Sequence, residues 1–212
     1  MFHPSLTGVR EVLCLGAHPD DIEIGCGGTL LRLLAENPGV RVTWVVFSGE
    51  GERRDEALRG ADLFLNDAGE RAVHVERFRD SYFPFDSGLK DRFHELAAGV
   101  SPDIVFTHRR DDAHQDHRAV AELTWCAFRD HLIFEYEIPK YEGDLAPPNL
   151  FVPLDASTAD RKIAQLAEAF PSQAARRWFT ADTFRGLLRL RGVEANAVSG
   201  VAEAFHCRKL VL

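Results

Sequence analysis

Residues 16–28 read Gly-Ala-His-Pro-Asp-Asp-Ile-Glu-Ile-Gly-Cys-Gly-Gly and crowd His18, Asp20, Asp21 and Glu23 into one short stretch. No Lys or Arg is interspersed. Carboxylates this close raise one another's pKa unless a cation lies among them, and a divalent metal ion is the simplest such cation. A second dense run comes much later: His108-Arg109-Arg110-Asp111-Asp112-Ala113-His114-Gln115-Asp116-His117. Two imidazoles and one carboxylate suit zinc and leave a fourth position for water. Water held that way has its pKa lowered toward ~7 and supplies a hydroxide nucleophile near neutrality. A further carboxylate beside it would serve as general base.

Each of these residues also has a plainer reading. An Asp in the His18–Asp21 turn would make a good helix N-cap, and so would Asp112 or Asp116 ahead of a helix near His117. His108, closing a strand, would need only to hydrogen-bond the backbone. The argument for a shared site rests on where the two runs fall.

The elements that position them are legible in the hydrophobic pattern. Residues 11–17, 40–47 and 103–107 are short, nearly continuous apolar runs, the kind of strand buried on both faces. A weaker strand is expected over 71–75. Helical spacing is expected over 29–36, 53–65, 89–100 and 117–131, and this alternation marks a parallel sheet covered on both faces. Ligands bind such sheets beyond the carboxyl ends of the strands, where both His/Asp runs lie. The second half is expected to add strands over 132–138, 149–154 and 203–212 and helices over 155–169 and 181–190. The expected fold is thus a Rossmann-like three-layer α/β/α architecture with a mostly parallel sheet and additional C-terminal strands and helices. A single domain spanning 1–212 would hold it.

Composition narrows the function. The net charge of −8 argues against a dedicated nucleic-acid binder, which needs a basic face. No apolar run approaches the length of a membrane span. Met1-Phe2-His3-Pro4 lacks the basic start of a signal peptide. Cys14, Cys26, Cys126 and Cys207 are far apart, so a disulfide framework is not expected. These features predict a cytoplasmic protein with a small-molecule partner; they are compatible with a homo-oligomer.

Ala17-His18-Pro19-Asp20-Asp21, with Glu23 and Gly25-Cys26-Gly27-Gly28 behind it, resembles the opening motif of the LmbE-like/PIG-L N-deacetylase family. Asp112-Ala113-His114-Gln115-Asp116-His117 resembles that family's second motif, with Gln115 where relatives often have Pro. The resemblance covers most of the chain and is tightest over 11–28 and 103–120. It implies a Rossmann-like, mostly zinc-dependent enzyme that removes acyl groups from N-acylated amino sugars. By resemblance, His18, Asp21 and His117 are the metal ligands, Asp20 is the general base, and a protonated His114 stabilises the oxyanion. Zinc is the implied metal, and another divalent ion such as Fe2+ would suit the same ligands. Arg53 matches an arginine that contacts sugar hydroxyls, with Arg54 as the alternative register. Asp116 either hydrogen-bonds a neighbouring imidazole or caps the following helix. Competing expectations are an amide hydrolase for another N-acyl compound, such as a lipopeptide or antibiotic intermediate, and a non-catalytic binding module of the same fold.

Other residues are less constrained by their neighbours. Glu50 and Glu52 read as a solvated acidic loop or as the lining of the site mouth, and Asp80 as a substrate contact or a bystander to the aromatics around Phe83. Glu135, Glu137, Lys140 and Tyr141 stand on a connection where substrate specificity often resides. Arg176 and Arg177 fit either an anion site or a basic helix end beside a packed Trp178. His206 reads as structural.

Overall fold

The computed structural model describes residues 5–211. Met1 to Pro4, weighed above as a leader, and Leu212, the expected end of the last strand, lie outside them. In chain order the elements are β1 (Glu11–Gly16), α1 (Asp21–Glu36), β2 (Arg41–Val46), α2 (Gly51–Phe64), β3 (Glu70–Val75), α3 (Ser87–Gly99), β4 (Ile104–His108), α4 (Gln115–Ala127), β5 (Leu132–Tyr136), β6 (Leu150–Pro153), α5 (Ala156–Ala169), α6 (Ala181–Glu194) and β7 (Ala202–His206). All seven strands join one sheet in the order β3-β2-β1-β4-β5-β7-β6.

Strand β1 sends alternate residues to opposite sides although its run Val12–Leu15 is apolar throughout. Val12 and Cys14 of β1 join one core cluster, with residues of α1, α2, α5 and α6. Leu13 and Leu15 join the other, with residues of α3 and α4. This is the period-2 geometry of a strand covered twice, and it produces the three layers. Strand β1 pairs in parallel with both β2 and β4. The chain leaves β1 toward β2 and later returns to β4 on its other flank, so the strand order reverses at β1. A crevice opens at such a switch point, beyond the carboxyl ends of the strands. Only β7 breaks the parallel order, antiparallel to both β5 and β6.

Helix α1 starts at Asp21, eight residues before the expected Thr29. The glycines that read as a loop are instead inside the helix, where each costs ~1 kcal/mol of propensity against Ala. Close packing outweighs that cost. A Cβ on Gly25 would lie 2.2 Å from Cδ2 of Tyr136, and one on Gly28 would lie 2.5 Å from Cδ1 of Leu154. These glycines let the helix rest directly on side chains of the sheet and its neighbours. Near its middle, the backbone N–H groups of Gly28 and Thr29 donate to Glu203 of β7 at 2.8 and 2.6 Å. Lys162 of α5 donates to Glu203 at 2.5 Å and to the Ile24 carbonyl at 2.6 Å. The C-terminal elements thus lock the helix that begins at the candidate site. Other boundaries move modestly: α4 begins at Gln115 and ends at Ala127 rather than spanning 117–131, α6 runs on to Glu194, and the last strand ends at His206.

Candidate active site

The turn after β1 and the start of α1 carry His18, Asp20 and Asp21 into the crevice, and the connection after β4 with the first turn of α4 carries Asp112, His114 and His117 to the same place. Asp20 has φ 96°, a left-handed conformation at a non-glycine residue, which costs on the order of 1–3 kcal/mol and marks functional sites more often than scaffold. It occupies the N-cap position of α1, yet its side chain makes no cap hydrogen bond. The capping role weighed for it is therefore not the one it plays. Its Oδ2 instead accepts from Nη2 of Arg53 at 2.8 Å.

Asp21 is held by the backbone N–H of His18, 2.7 Å from Oδ2. Around it gather Nδ1 of His18 at 3.4 Å, Nε2 of His117 at 3.5 Å and Nε2 of His108 at 3.2 Å. Nδ1 of His18 is 3.2 Å from Nε2 of His117. The remaining nitrogen of each ring faces an acid. Nε2 of His18 lies 3.3 Å from Asp116 and 3.2 Å from Asp80, and Nδ1 of His117 lies 3.2 Å from Asp112. The contact of His18 with Asp116 is a hydrogen bond, so that outer nitrogen carries a ring proton, whereas Asp112 lies beside Nδ1 of His117 without hydrogen-bond alignment. The inner nitrogens of both rings, Nδ1 of His18 and Nε2 of His117, point at the space beside Asp21.

That donor set fits a metal ion. Four ligands at the ~2.0–2.2 Å bond lengths of zinc stand ~3.3–3.5 Å apart in a tetrahedron. The His18–His117, His18–Asp21 and His117–Asp21 spacings of 3.2, 3.4 and 3.5 Å lie near it, the two to Asp21 running to its different oxygens, Oδ2 and Oδ1. Titration behaviour agrees. Burial works against a charge on His18, but Asp116, Asp21 and Asp80 outweigh it and hold the imidazole well above its ordinary pKa. A proton there takes the place of a cation. Burial and the neighbouring His108 push His117 down to about 3, keeping it neutral.

Asp20 stands apart from this cluster. Burial and Asp21 raise its pKa, the Arg53 guanidinium lowers it, and the balance falls at about 7. Arg53 also donates to Glu56 at 2.6 Å and to the carbonyl of Pro19, and its guanidinium lies over the ring of Phe170. Arg54 turns away, to the carbonyl of Val75. Of the two registers weighed, Arg53 is thus the arginine beside the acids, and in this structure it clamps Asp20.

His114 differs from expectation in its proton. It caps α4, its Nδ1 accepting the backbone N–H of Asp116 at 3.2 Å. Burial first and the charge on His18 second lower its pKa. The ring is therefore neutral and carries its hydrogen on Nε2, which still makes it a hydrogen-bond donor. Because His114 takes the cap, Asp116 does not. Fully buried, Asp116 accepts from the backbone N–H of Ser81 at 2.6 Å and of Phe83 at 3.2 Å, and faces His18. It thereby fixes the segment that brings Asp80 to His18. That contact pulls Asp80 down to about 2.

Several residues prove to be scaffold. Glu135 binds Trp125 and Arg208, and Glu137 binds Arg191 through both oxygens. Lys140 turns inward to Asp112 rather than toward a substrate. Tyr141, Glu50 and Glu52 are exposed. Arg176 and Arg177 are exposed ahead of α6 rather than at a helix end, and His206 is half-buried on β7. Two contributors were underread. His108 does hydrogen-bond the backbone, accepting from Ala17 at 2.9 Å, but it also lines Asp21. Asp112 is the acid behind His117, and its spacing within the second motif was the available signal.

Comparison with known proteins agrees with this geometry. A family profile described as PIG-L, GlcNAc-PI de-N-acetylase, matches residues 13–128, which include every residue of the cluster. An Escherichia coli K12 protein described as the uncharacterized deacetylase YaiS is 32% identical over 145 residues, covering 61% of this chain and 75% of the relative. Diacetylchitobiose deacetylase of Thermococcus kodakarensis is 27% identical over 128 residues, and the match spans 52% of this chain but only 46% of that enzyme. Among solved structures, 4-carboxy-2-hydroxymuconate hydratase GalB from Pseudomonas putida KT2440 superimposes with a TM-score of 0.76 at 19% identity, covering 96% of this chain and 98% of that one.

Proposed function

Because this chain belongs to the PIG-L (LmbE-like) deacetylase family, we propose that it hydrolyses the amide of an N-acylated amino sugar or sugar conjugate, releasing the acyl group, in particular acetate. His18, Asp21 and His117 would hold a divalent metal, zinc first among the candidates. Such an ion, once bound, would polarise the amide carbonyl and lower the pKa of water to near neutrality. The observation that carries the reading is the pairing of this three-donor cluster with a buried carboxylate, Asp20, that is left out of it and titrates at about 7.

The chain's own residues divide the remaining work. The Asp20 carboxylate accepts the proton of the attacking water and returns it to the departing amine, for which a pKa near the working pH is suited. Neutral His114 donates from Nε2 to the oxygen that gains negative charge. Arg53 keeps Asp20 aimed and ionisable; any sugar hydroxyl it meets would share the same guanidinium. Asp116 fixes the tautomer of His18, and Asp112 lies beside the imidazole of His117.

The test is amine release from a panel of N-acetylated sugars and sugar conjugates, with metal removed and then added back. Metal-dependent release from at least one amino-sugar substrate is expected, and it is lost in Asp20→Ala. The GalB hydratase shares the fold without being a deacetylase, so fold alone does not decide the reaction. Metal-bound protein that releases amine from none of the panel would sink the proposal.

A further inference from the structure

We propose that Lys140, on the connection between β5 and β6, is a positioning residue for His117 and acts on it through Asp112. The inference rests on the reading of His117 as a metal ligand. Nζ of Lys140 is 2.8 Å from Oδ2 of Asp112, 3.0 Å from Oδ1 of Asp144 and 3.2 Å from the carbonyl of Ile138. Lys140 thus donates hydrogen bonds to Asp112 and to the Ile138 carbonyl, and Asp144 is a further ionic neighbour. Asp112 is buried, and the same Oδ2 lies 3.2 Å from Nδ1 of His117, while Oδ1 accepts from the backbone of His114 at 2.8 Å.

The chain of contacts has a physical purpose. Asp112 touches Nδ1 of His117 and accepts the backbone N–H of His114, so what fixes its carboxylate also fixes the imidazole beside it. A buried carboxylate is costly without a compensating charge, and Lys140 supplies that charge on its far side. The same connection is clasped a second time. Asp144 accepts the backbone N–H of Ala113 at 2.7 Å and is bound by Arg109. A segment distant in sequence from both motifs therefore sets how firmly the inner nitrogen of His117 faces Asp21. Nothing in the local sequence around Lys140 signals this.

The experiment measures zinc affinity by competition with a chromophoric chelator, beside the melting temperature of the metal-free protein. Lys140→Met is expected to weaken zinc binding ~10–100-fold, the usual effect of removing a partner behind a metal ligand, with Lys140→Arg retaining most of the affinity. In an Asp112→Asn background the same Lys140→Met change is expected to add little, because the path runs through Asp112. Wild-type affinity in Lys140→Met would overturn the inference, as would fully additive losses in the double variant. Lys140→Gln serves if the methionine variant does not fold. His117→Ala separates the levels: if it binds zinc as tightly as wild type, the metal reading fails, and not merely the role of Lys140.

Discussion

Glu203 and Asp21 are both buried acids in contact with helix α1, and their surroundings are opposite in kind. Glu203 meets two backbone N–H groups and the Lys162 ammonium, so its charge and its lone pairs are satisfied. Glu137 is similarly completed by Arg191, at 2.6 and 2.9 Å. Asp21 instead meets one backbone N–H and the ring nitrogens of His18, His108 and His117, with no Lys or Arg beside it among the described residues. Nearby Glu23 is fully buried with no partner on either oxygen, and burial drives its carboxyl well above the ordinary range. At the C-terminal side of the sheet, then, buried acids are closed by protein cations. At the switch point Asp21 is faced by imidazoles and Glu23 by no hydrogen-bonding group among the described residues, which separates the scaffold from the candidate site.

The comparison predicts which variants lose activity and which lose stability. The largest effects belong to the site. His117→Ala should lose both metal and hydrolysis, while Asp20→Ala should keep the metal and lose ~10²–10⁴-fold in turnover, the range of a general base. Metal content measured beside turnover separates the two. An Asp20→Ala protein with full turnover would place the base elsewhere. At the other region, Glu203→Ala leaves Lys162 buried and unpaired, and should cost about 3–5 kcal/mol in denaturant unfolding. Replacing Glu203 and Lys162 together by apolar residues should recover much of that. If Glu203→Ala unfolded like wild type, the contrast drawn between the regions would fail.

Gly25→Ala tests the contact that places α1 against the sheet. The added methyl meets the Tyr136 ring, and overpacking of this kind typically costs ~1–3 kcal/mol. A neutral result in thermal melts would mean that the helix can shift.

The same contrast explains what the sequence made legible. Strands β1, β2 and β4 are plain because both faces are buried and their residues are almost all apolar. The site was plain because its acids and imidazoles cluster in two local runs, each at the end of such a strand. The start of α1 was not, because Gly25, Gly27 and Gly28 have the composition of a loop, and their reason lies in Tyr136, Phe64 and Leu154, far along the chain. The tautomer of His114 is not legible for a similar reason: its cap hydrogen bond depends on where the helix starts. Lys140 and Asp112 meet through folding alone.

Arg53 offers the smallest and most discriminating change. Asp20 is useful as a base only when ionised, so activity should rise with pH through its pKa. Burial and Asp21 hold that pKa up, and Arg53 holds it down. Removing the guanidinium must therefore raise it, moving the acid limb of kcat/KM to higher pH. A bound metal cation would lower the limb in wild type and variant alike, leaving the direction of the difference unchanged. Arg53→Met should lose on the order of tenfold on the acid side, equivalent to about one pKa unit, and little at high pH. Arg53→Lys should fall between, since it keeps the charge but loses the planar fork. A uniform loss at every pH would instead assign Arg53 to substrate binding alone, and an unmoved limb would mean that Asp20 is not the group whose ionisation the reaction follows.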